Sequence, residues 1–431
     1  MRAFISLFLY RVFFLCLLPV LLLALIIRSK NNPDYRKRLL ERLGVLTSPM
    51  KRHGIVVHAS SVGEVIALKA YINGILNQYP NIPVTLTTFT PTGSAQVQKL
   101  FGVRVQHCYL PLDVWPCTWL FLRQLQPRVL VLMETEIWPN LIAQCANRGI
   151  PMQLINGRLS DKSMKSYQKL SWLISASLQK FSEIWTQSSE NQSNFLALGA
   201  NTSTTNISGN LKFDIQLTDD VNNKIAALND SLHSSHPIWL VASTHEGDET
   251  LVLDSFKELK KLQPSLLMML VPRHPERFEQ VHRLCIEHGF AVAKRSNEDS
   301  VTDTTDIWLI DTLGELLACC GIADIVTMGG SFSAIGGHNP LEPALFKKPV
   351  IVGPNMKNFS FINQQMLNHH AIIQLDSAIN TPMSAQLTQA VNLLLNDKDK
   401  QQLLGAAAYK VVQMNQGASQ KTVDALDKFL S

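Results

Sequence analysis

Residues 54–65 read GIVVHASSVGEV. After the opening glycine, Ile55, Val56 and Val57 are β-branched and uninterrupted, which suits a strand covered on both faces better than one alternating between core and water. Ser61 stands three residues before Glu64, the Ser-x-x-Glu spacing of a helix start. The stretch therefore reads as strand, turn and helix, with one carboxylate, Glu64, in the first turn beyond the strand's carboxyl end.

The same pattern recurs along the chain. Apolar runs at 54–59, 84–89, 103–110, 128–133, 152–155, 183–186 and 205–207 are followed by a second series at 238–242, 266–271, 291–293, 306–310, 325–328, 349–352 and 371–374. Continuous apolar runs separated by helical patterns predict α/β architecture, with two doubly wound parallel-sheet domains. The length of 431 residues agrees with more than one domain. The polar stretch 217–237 has no strand pattern and is expected to hold the linker. The expected division is 1–30, 31–220 and 221–431. Ligands of such sheets bind beyond the carboxyl ends of strands, so the cleft between two such domains is the expected site.

Residues 3–27, AFISLFLYRVFFLCLLPVLLLALII, are apolar apart from Arg11 and are interrupted by Pro19. As a helix they reach roughly 36 Å at about 1.5 Å per residue, enough for a hydrocarbon core of about 30 Å. A cleaved signal peptide would have a shorter apolar region and a small-x-small site, whereas Arg28, Ser29 and Lys30 follow here, which favours a single N-terminal anchor. Arg2 on one flank faces Arg28, Lys30, Arg36, Lys37 and Arg38 on the other, so the positive-inside rule keeps the body cytoplasmic. The same cluster suits anionic lipid headgroups or a solvated face equally. Arg11 lies towards the N-terminal end, where it can snorkel, and shallow insertion stays open beside a full crossing.

Seven cysteines without a CxxC pair suggest neither a disulfide framework nor a zinc site. The formal charge of +5, without a basic block after Arg38, gives no support to nucleic-acid binding. No Walker sequence is present and no G-x-G-x-x-G follows the first strand, which disfavours ATP hydrolysis and a Rossmann dinucleotide site. Residues 329–333, GGSFS, miss the nucleophile elbow because no glycine stands two places after Ser331. His245, Glu246, Asp248 and Glu249 read as acidic compensation at a helix start rather than as metal ligands.

The conspicuous polar clusters fall at strand ends. The first half has METEIWPN with Glu134 and Glu136, NGRLSDKS with Arg158, and SGNLKFD with Lys212. The second half has ASTHEGDE with Ser243 and Thr244, VPRHPERF with Pro272 and Arg273, and GGSFSAIGGHNPLEPA with Gly329, Gly330, Ser331, Asn339 and Glu342. In the last motif the glycines let backbone N–H groups approach a ligand, and Asn339-Pro340 reads as a helix start that would favour an anion. Glu342 suits either a ribose contact or a capping carboxylate at Asn-x-x-Glu spacing.

These motifs, in this order and with the apolar N-terminus and HASSVGEV, span essentially the whole chain. It resembles the 3-deoxy-D-manno-octulosonic acid (Kdo) transferases of Gram-negative lipopolysaccharide synthesis. The resemblance implies a two-domain GT-B glycosyltransferase that moves Kdo from CMP-Kdo to the lipid A precursor at the cytoplasmic face of the cell inner membrane. It implies an acceptor-binding first domain, a CMP-Kdo-binding second domain, and no cofactor or metal. Glu64 is implied as catalytic base, and its place in a helix's first turn is expected to keep it ionised. Arg273 with Gly329, Gly330, Ser331, Asn339 and Glu342 is implied as the nucleotide pocket. Pro272 would shape its backbone, and Ser243 and Thr244 would donate to phosphate or sugar.

Because this donor carries a carboxylate besides its phosphate, Arg158 and Lys212 are candidate cations. One of Glu134 and Glu136 is expected to orient hydroxyls while the other fixes a loop. Another GT-B transferase using a different nucleotide sugar, a sugar-nucleotide epimerase on the same plan, and an inert membrane scaffold are the rival readings. The anchor argues against the epimerase, and the intact polar clusters argue against the scaffold.

Overall fold

The computed structural model describes residues 2–30, 32–159, 161–233 and 236–430. Seven strands form the first sheet: β1 (Ile55–His58), β2 (Val84–Thr88), β3 (Gln106–Tyr109), β4 (Val129–Met133), β5 (Met152–Gly157), β6 (Glu183–Thr186) and β7 (Thr205–Ile207). The second sheet has β8 (Ile238–Thr244), β9 (Leu267–Pro272), β10 (Val292–Lys294), β11 (Ile307–Leu309), β12 (Ile325–Met328), β13 (Val350–Val352) and β14 (Ile373–Gln374). Every apolar run read from the sequence contains one of these strands, and the strand pairings are parallel.

The strand orders are β3-β2-β1-β4-β5-β6-β7 and β10-β11-β9-β8-β12-β13-β14. Each order reverses once, between β1 and β4 in the first sheet and between β8 and β12 in the second. Connections leave to opposite faces at such a switch point, opening a crevice beyond the strand ends.

Alternation within the strands builds two cores on the first sheet. Ile55, Val57, Val129, Val131 and Met133 enter one cluster, while Val56, Leu130, Leu132 and Leu154 enter the other. Both faces are covered, which is why β4 reads Val-Leu-Val-Leu-Met without a polar residue. Each such side chain contributes about 1.5–3 kcal/mol through burial. Trp239, Val241, Met268, Leu270, Ile307 and Ile351 form the corresponding core of the second sheet.

The chain divides into two compact units, residues 1–214 with 415–431, and residues 215–414. This differs from the division at 220/221 drawn from sequence. Much of the supposed linker is a helix, Asp219–Asp230, whose Val221 and Leu228 are buried. The closing segment belongs to the first unit rather than to a domain running to 431. Asp214 accepts the N–H groups of Gly417 at 2.6 Å and Ser419 at 2.5 Å, while Val423, Leu426 and Leu430 join the first core.

The apolar N-terminal segment is one helix, Arg2–Arg28, long and apolar enough to cross a membrane. The side chain of Arg2, used above for orientation, lies outside the described residues, as does Ser160 of NGRLSDKS.

Candidate functional site

In the first unit, Glu64 follows β1 and Glu134 follows β4, so the switch point brings both to one place. Ser61 is the N-cap of the helix Val62–Ala67, and its hydroxyl accepts the Glu64 N–H at 3.4 Å. Glu64 answers with both carboxylate oxygens: Oε1 accepts the Ser61 hydroxyl at 2.9 Å, and Oε2 accepts the Ser60 N–H at 2.8 Å. This is a capping arrangement, and it fixes the carboxylate while leaving lone pairs on both oxygens. A Cβ added to Gly63 would meet nothing nearer than Ser61 Oγ at 4.0 Å, so the space beside Glu64 is open.

The capping bonds do not keep Glu64 acidic. Burial, followed by the charge of Glu134, raises its pKa from 4.5 to about 7, against the pull of the Ser60 amide and the Ser61 hydroxyl. The expectation that the helix start would hold it ionised is corrected: at neutral pH it is poised between its two states. A general base is most effective when its pKa lies near the working pH.

The structure separates the two acids of METEIWPN. Glu134 adopts a left-handed backbone, φ 56°, rare for a residue with a side chain and costly wherever it is held. Burial raises its pKa, while Lys212 and Arg158 oppose the rise. Lys212 is in turn lowered by burial and held up by Glu134. These four residues form one electrostatic group. Glu136 is engaged elsewhere: its Oε2 accepts Trp138 Nε1–H at 2.7 Å and lies 3.5 Å from His58 Nε2. Trp138 stacks on Phe89, so Glu136 fixes a packed loop.

Lys212 is placed by residues whose roles were not read from sequence. Asn156, fully buried with φ 54°, accepts the Leu211 N–H at 3.1 Å. Asn210 accepts the Lys212 N–H at 3.0 Å and donates to Gln187. NGRL and SGNLK thus lock together. The buried His58 was also missed, although it stands inside the opening stretch; a polar residue ending an apolar strand was the available signal.

In the second unit, the ends of β8 and β12 lie against each other. A Cβ on Gly329 would come within 2.6 Å of Ser243 O, so only glycine fits. Gly330 has φ +67° and faces the His338 ring. Asp248 clasps this junction: its Oδ2 accepts Gly330 N–H at 2.6 Å and His245 N–H at 2.9 Å. In the sequence Asp248 read only as helix-dipole compensation, because its partner lies 82 residues away.

His245 and His338 meet through their Nε2 atoms at 2.7 Å. Their rings are nearly coplanar, 3° apart with centroids at 5.0 Å, so they touch edge to edge along an N–H···N line. His274 lies at 5.1 Å from His245 on the other side. Burial lowers both imidazoles, His338 to about 3, assisted by Arg273 and the other histidines. Arg273 is exposed beside this cluster, and its backbone N–H donates to Thr244 O at 3.0 Å. Arg277 donates through Nη2 to Glu249 at 3.2 Å, with Nε and Nη1 buried and without acceptors. The surface is cationic and rich in donors.

Glu342 lies next to this group. Burial raises it to about 7, against Arg273 and the Asn339 side chain. Asn339 Oδ1 accepts Leu341 N–H at 3.2 Å, as a cap would, but the helix Leu341–Ala344 has four residues. The expected dipole site is therefore replaced by side-chain cations.

Ser331 turns inward, fully buried, donating to Met328 O and accepting Gly353 N–H at 2.8 Å, so its hydroxyl shapes the loop and is not available to a ligand. Ser243 and Thr244 are likewise buried, 4% and 0% exposed, beneath the loop. Pro272 ends β9 and is buried.

Residues 37–215 match the family model described as 3-Deoxy-D-manno-octulosonic-acid transferase (kdotransferase). A 3-deoxy-D-manno-octulosonic acid transferase of Haemophilus influenzae is 38% identical over 425 residues, 98% of each chain. One of Bordetella pertussis is 31% identical over 386 residues, covering 87% of each. Among solved structures, a glycosyltransferase from Rickettsia africae (TM-score 0.55, 12% identity, 89% of this chain and 100% of that one) has the same fold. So does a UDP-GlcNAc 2-epimerase from Neisseria meningitidis (TM-score 0.57, 14% identity, 87% and 100%). The two parallel seven-stranded sheets are those of a GT-B enzyme. With identity extending over nearly its whole length, the chain belongs to the 3-deoxy-D-manno-octulosonic acid transferase family of glycosyltransferases.

Proposed function

We propose that this enzyme transfers Kdo from CMP-Kdo to a lipid A precursor, with inversion, at the cytoplasmic face of the inner membrane. The observation that carries the reading is Glu64: a carboxylate at the β1/β4 switch point, fixed through both oxygens, beside open space and poised at about 7. In the reaction Glu64 takes the proton of an acceptor hydroxyl. The hydroxyl oxygen bonds to the anomeric carbon, the bond from that carbon to the phosphate oxygen breaks, and its electron pair leaves with CMP.

The first domain, expected at 31–220, supplies the base and the acceptor surface, with Lys212 and Arg158 as cations for a sugar carboxylate. Glu134 sets the charge around Glu64. The second domain, expected at 221–431 and ending by packing at Met414, holds the donor. Gly329 and Gly330 give the nucleotide close access to backbone, Arg273 and the histidine cluster meet the phosphate, and Glu342 with Asn339 receives the ribose. Pro272 sets the backbone before Arg273. Guanidinium and imidazole donors supply the leaving-group stabilisation without a metal cofactor. The N-terminal helix and its basic flank hold the enzyme to a membrane with anionic lipids.

The test is mass spectrometry of detergent-solubilised protein with CMP-Kdo and tetra-acylated lipid A precursor, beside Glu64→Gln. Added Kdo masses with wild type, lost in a folded variant, are expected. No added mass with wild type would sink the donor and acceptor assignment and turn attention to other nucleotide sugars. An active Glu64→Gln protein would return Glu64 to helix capping alone.

A further inference from the structure

The N-terminal helix Arg2–Arg28 has two faces. Ser6, Leu25 and the following Ser29 are buried, at 3%, 6% and 1% exposure. Between them Phe14, Leu18, Leu21 and Leu22 pack on the cluster of Leu112, Val114 and Cys117. The spacing is that of one helical stripe, running from Ser6 to Ser29 along nearly the whole helix. It rests on the helices Ser171–Leu178 and Pro139–Asn147 of the first unit.

Two polar contacts secure this stripe. Tyr10 donates its hydroxyl to Asp113 Oδ2 at 2.9 Å, and Arg11 Nε donates to Asn140 Oδ1 at 3.1 Å. Asp113 and Asn140 are buried, at 3% and 0% exposure. Asp113 also accepts the N–H groups of Asn140 and Leu141, each at 2.9 Å, at the start of the helix Pro139–Asn147. Arg11, the one charge within the apolar segment, therefore has a protein partner.

The opposite face is apolar and open. Phe8, Phe13, Leu15, Val20, Leu23 and Ile27 are each more than half exposed. Leu170 and Trp172, at 47% and 46%, extend it at the helix packed alongside. Exposed lysines and arginines lie next to it in sequence, Arg28 and Lys30 after the helix and Lys165 and Lys169 before Leu170. An apolar strip edged by cations matches an interface of acyl chains and anionic headgroups.

A helix that crosses a bilayer presents its circumference to lipid over a hydrocarbon core of about 30 Å. Here one side is committed to a folded unit over the whole stripe. A perpendicular crossing would carry Asp113, Asn140 and two helices of that unit into hydrocarbon, where buried polar backbone ends are costly. We infer that the N-terminal helix lies in one leaflet along the membrane surface, latched to the first unit by Tyr10 and Arg11, with Phe8, Phe13, Val20 and Leu23 among the acyl chains. This rests on the reading of the helix as a membrane anchor.

Cys16 is exposed and the other six cysteines are buried, so a nitroxide maleimide labels the full-length protein at Cys16. Phe8→Cys and Leu23→Cys, each in a Cys16→Ser background, give two more positions. Vesicles of phosphatidylethanolamine and phosphatidylglycerol are floated first, and label depth is then read from collision with oxygen and a nickel chelate. The expected result is flotation with all three labels at a similar depth, about 5–10 Å below the headgroups. Flotation with Cys16 deepest and positions 8 and 23 at opposite interfaces, roughly 22 Å apart, would overturn the inference and leave the anchor. Failure to float would overturn the anchor reading and the inference together. Tyr10→Phe with Arg11→Gln is expected to float yet lose the uniform depth; an unchanged profile would remove the latch.

Discussion

Ser61 and Glu64 exchange hydrogen bonds, the serine hydroxyl receiving the Glu64 N–H at 3.4 Å and donating to Glu64 Oε1 at 2.9 Å. Donation to a carboxylate favours its charged form, so this hydroxyl holds down a pKa that burial pushes to about 7. Ser61→Ala is expected to let it rise further and move the acidic limb of the kcat/KM profile to higher pH. Loss of the cap also costs about 1 kcal/mol of stability. An unmoved limb would mean that Glu64 does not set it.

Glu134→Gln predicts the opposite sign. Its charge is the second cause of the Glu64 rise, after burial, so neutralising it lowers the Glu64 pKa and moves the acidic limb to lower pH. Glu136 contributes last, and Glu136→Gln is expected to shift the limb less while disturbing the Trp138 loop. Equal shifts in the two variants would contradict the separation of these acids. The comparison needs full pH profiles, since a single pH confounds kcat with ionisation.

Gly330→Ala tests the second site. The residue has φ +67°, and a Cβ would stand 3.0 Å from His338 Cδ2 and 3.2 Å from Ile335 Cγ2. The left-handed conformation alone costs a side chain about 1–2 kcal/mol, and the contact displaces the ring that meets His245. CMP affinity by calorimetry is expected to fall at least about tenfold, the equivalent of 1.4 kcal/mol, with the second unit still folded. Unchanged affinity would place the nucleotide away from this turn.

Much of this was legible because parallel strands buried on both faces write themselves as unbroken apolar runs. Val129–Met133 could be read without any partner. Their carboxyl ends follow automatically, so Glu64, Glu134, Arg273 and Glu342 could be placed. What could not be read depends on contacts across long separations. Ser331 looked like a ligand hydroxyl until Gly353, 22 residues on, took its lone pair. The His245–His338 pair spans 93 residues, and neither histidine carries a local signal. The closing segment has an ordinary amphipathic pattern, and only Asp214 and Gln153, which donates to Thr422 O at 3.2 Å, assign it to the first unit. The sign of the Glu64 shift was misjudged for a related reason: a helix start is visible in sequence, while desolvation and a like charge from another strand are not.

Glu342 carries a prediction about stability against pH. Its native pKa of about 7 exceeds the ordinary 4.5, so the native state holds the proton more tightly than the unfolded chain does. The contribution to stability is fully present below about 4.5, declines as the unfolded carboxyl ionises, and is lost as pH rises through about 7. A rise of that size corresponds to about 3 kcal/mol at most. Glu342→Gln cannot ionise and is expected to match wild type near pH 4.5 but to be more stable at pH 8, by up to that amount. Hydrogen exchange of the β12 and β13 amides in denaturant at the two pH values reads the second unit alone. A variant less stable than wild type at pH 8 would show that Arg273 stabilises the ionised carboxylate more than burial opposes it, and that Glu342 is charged in the free enzyme.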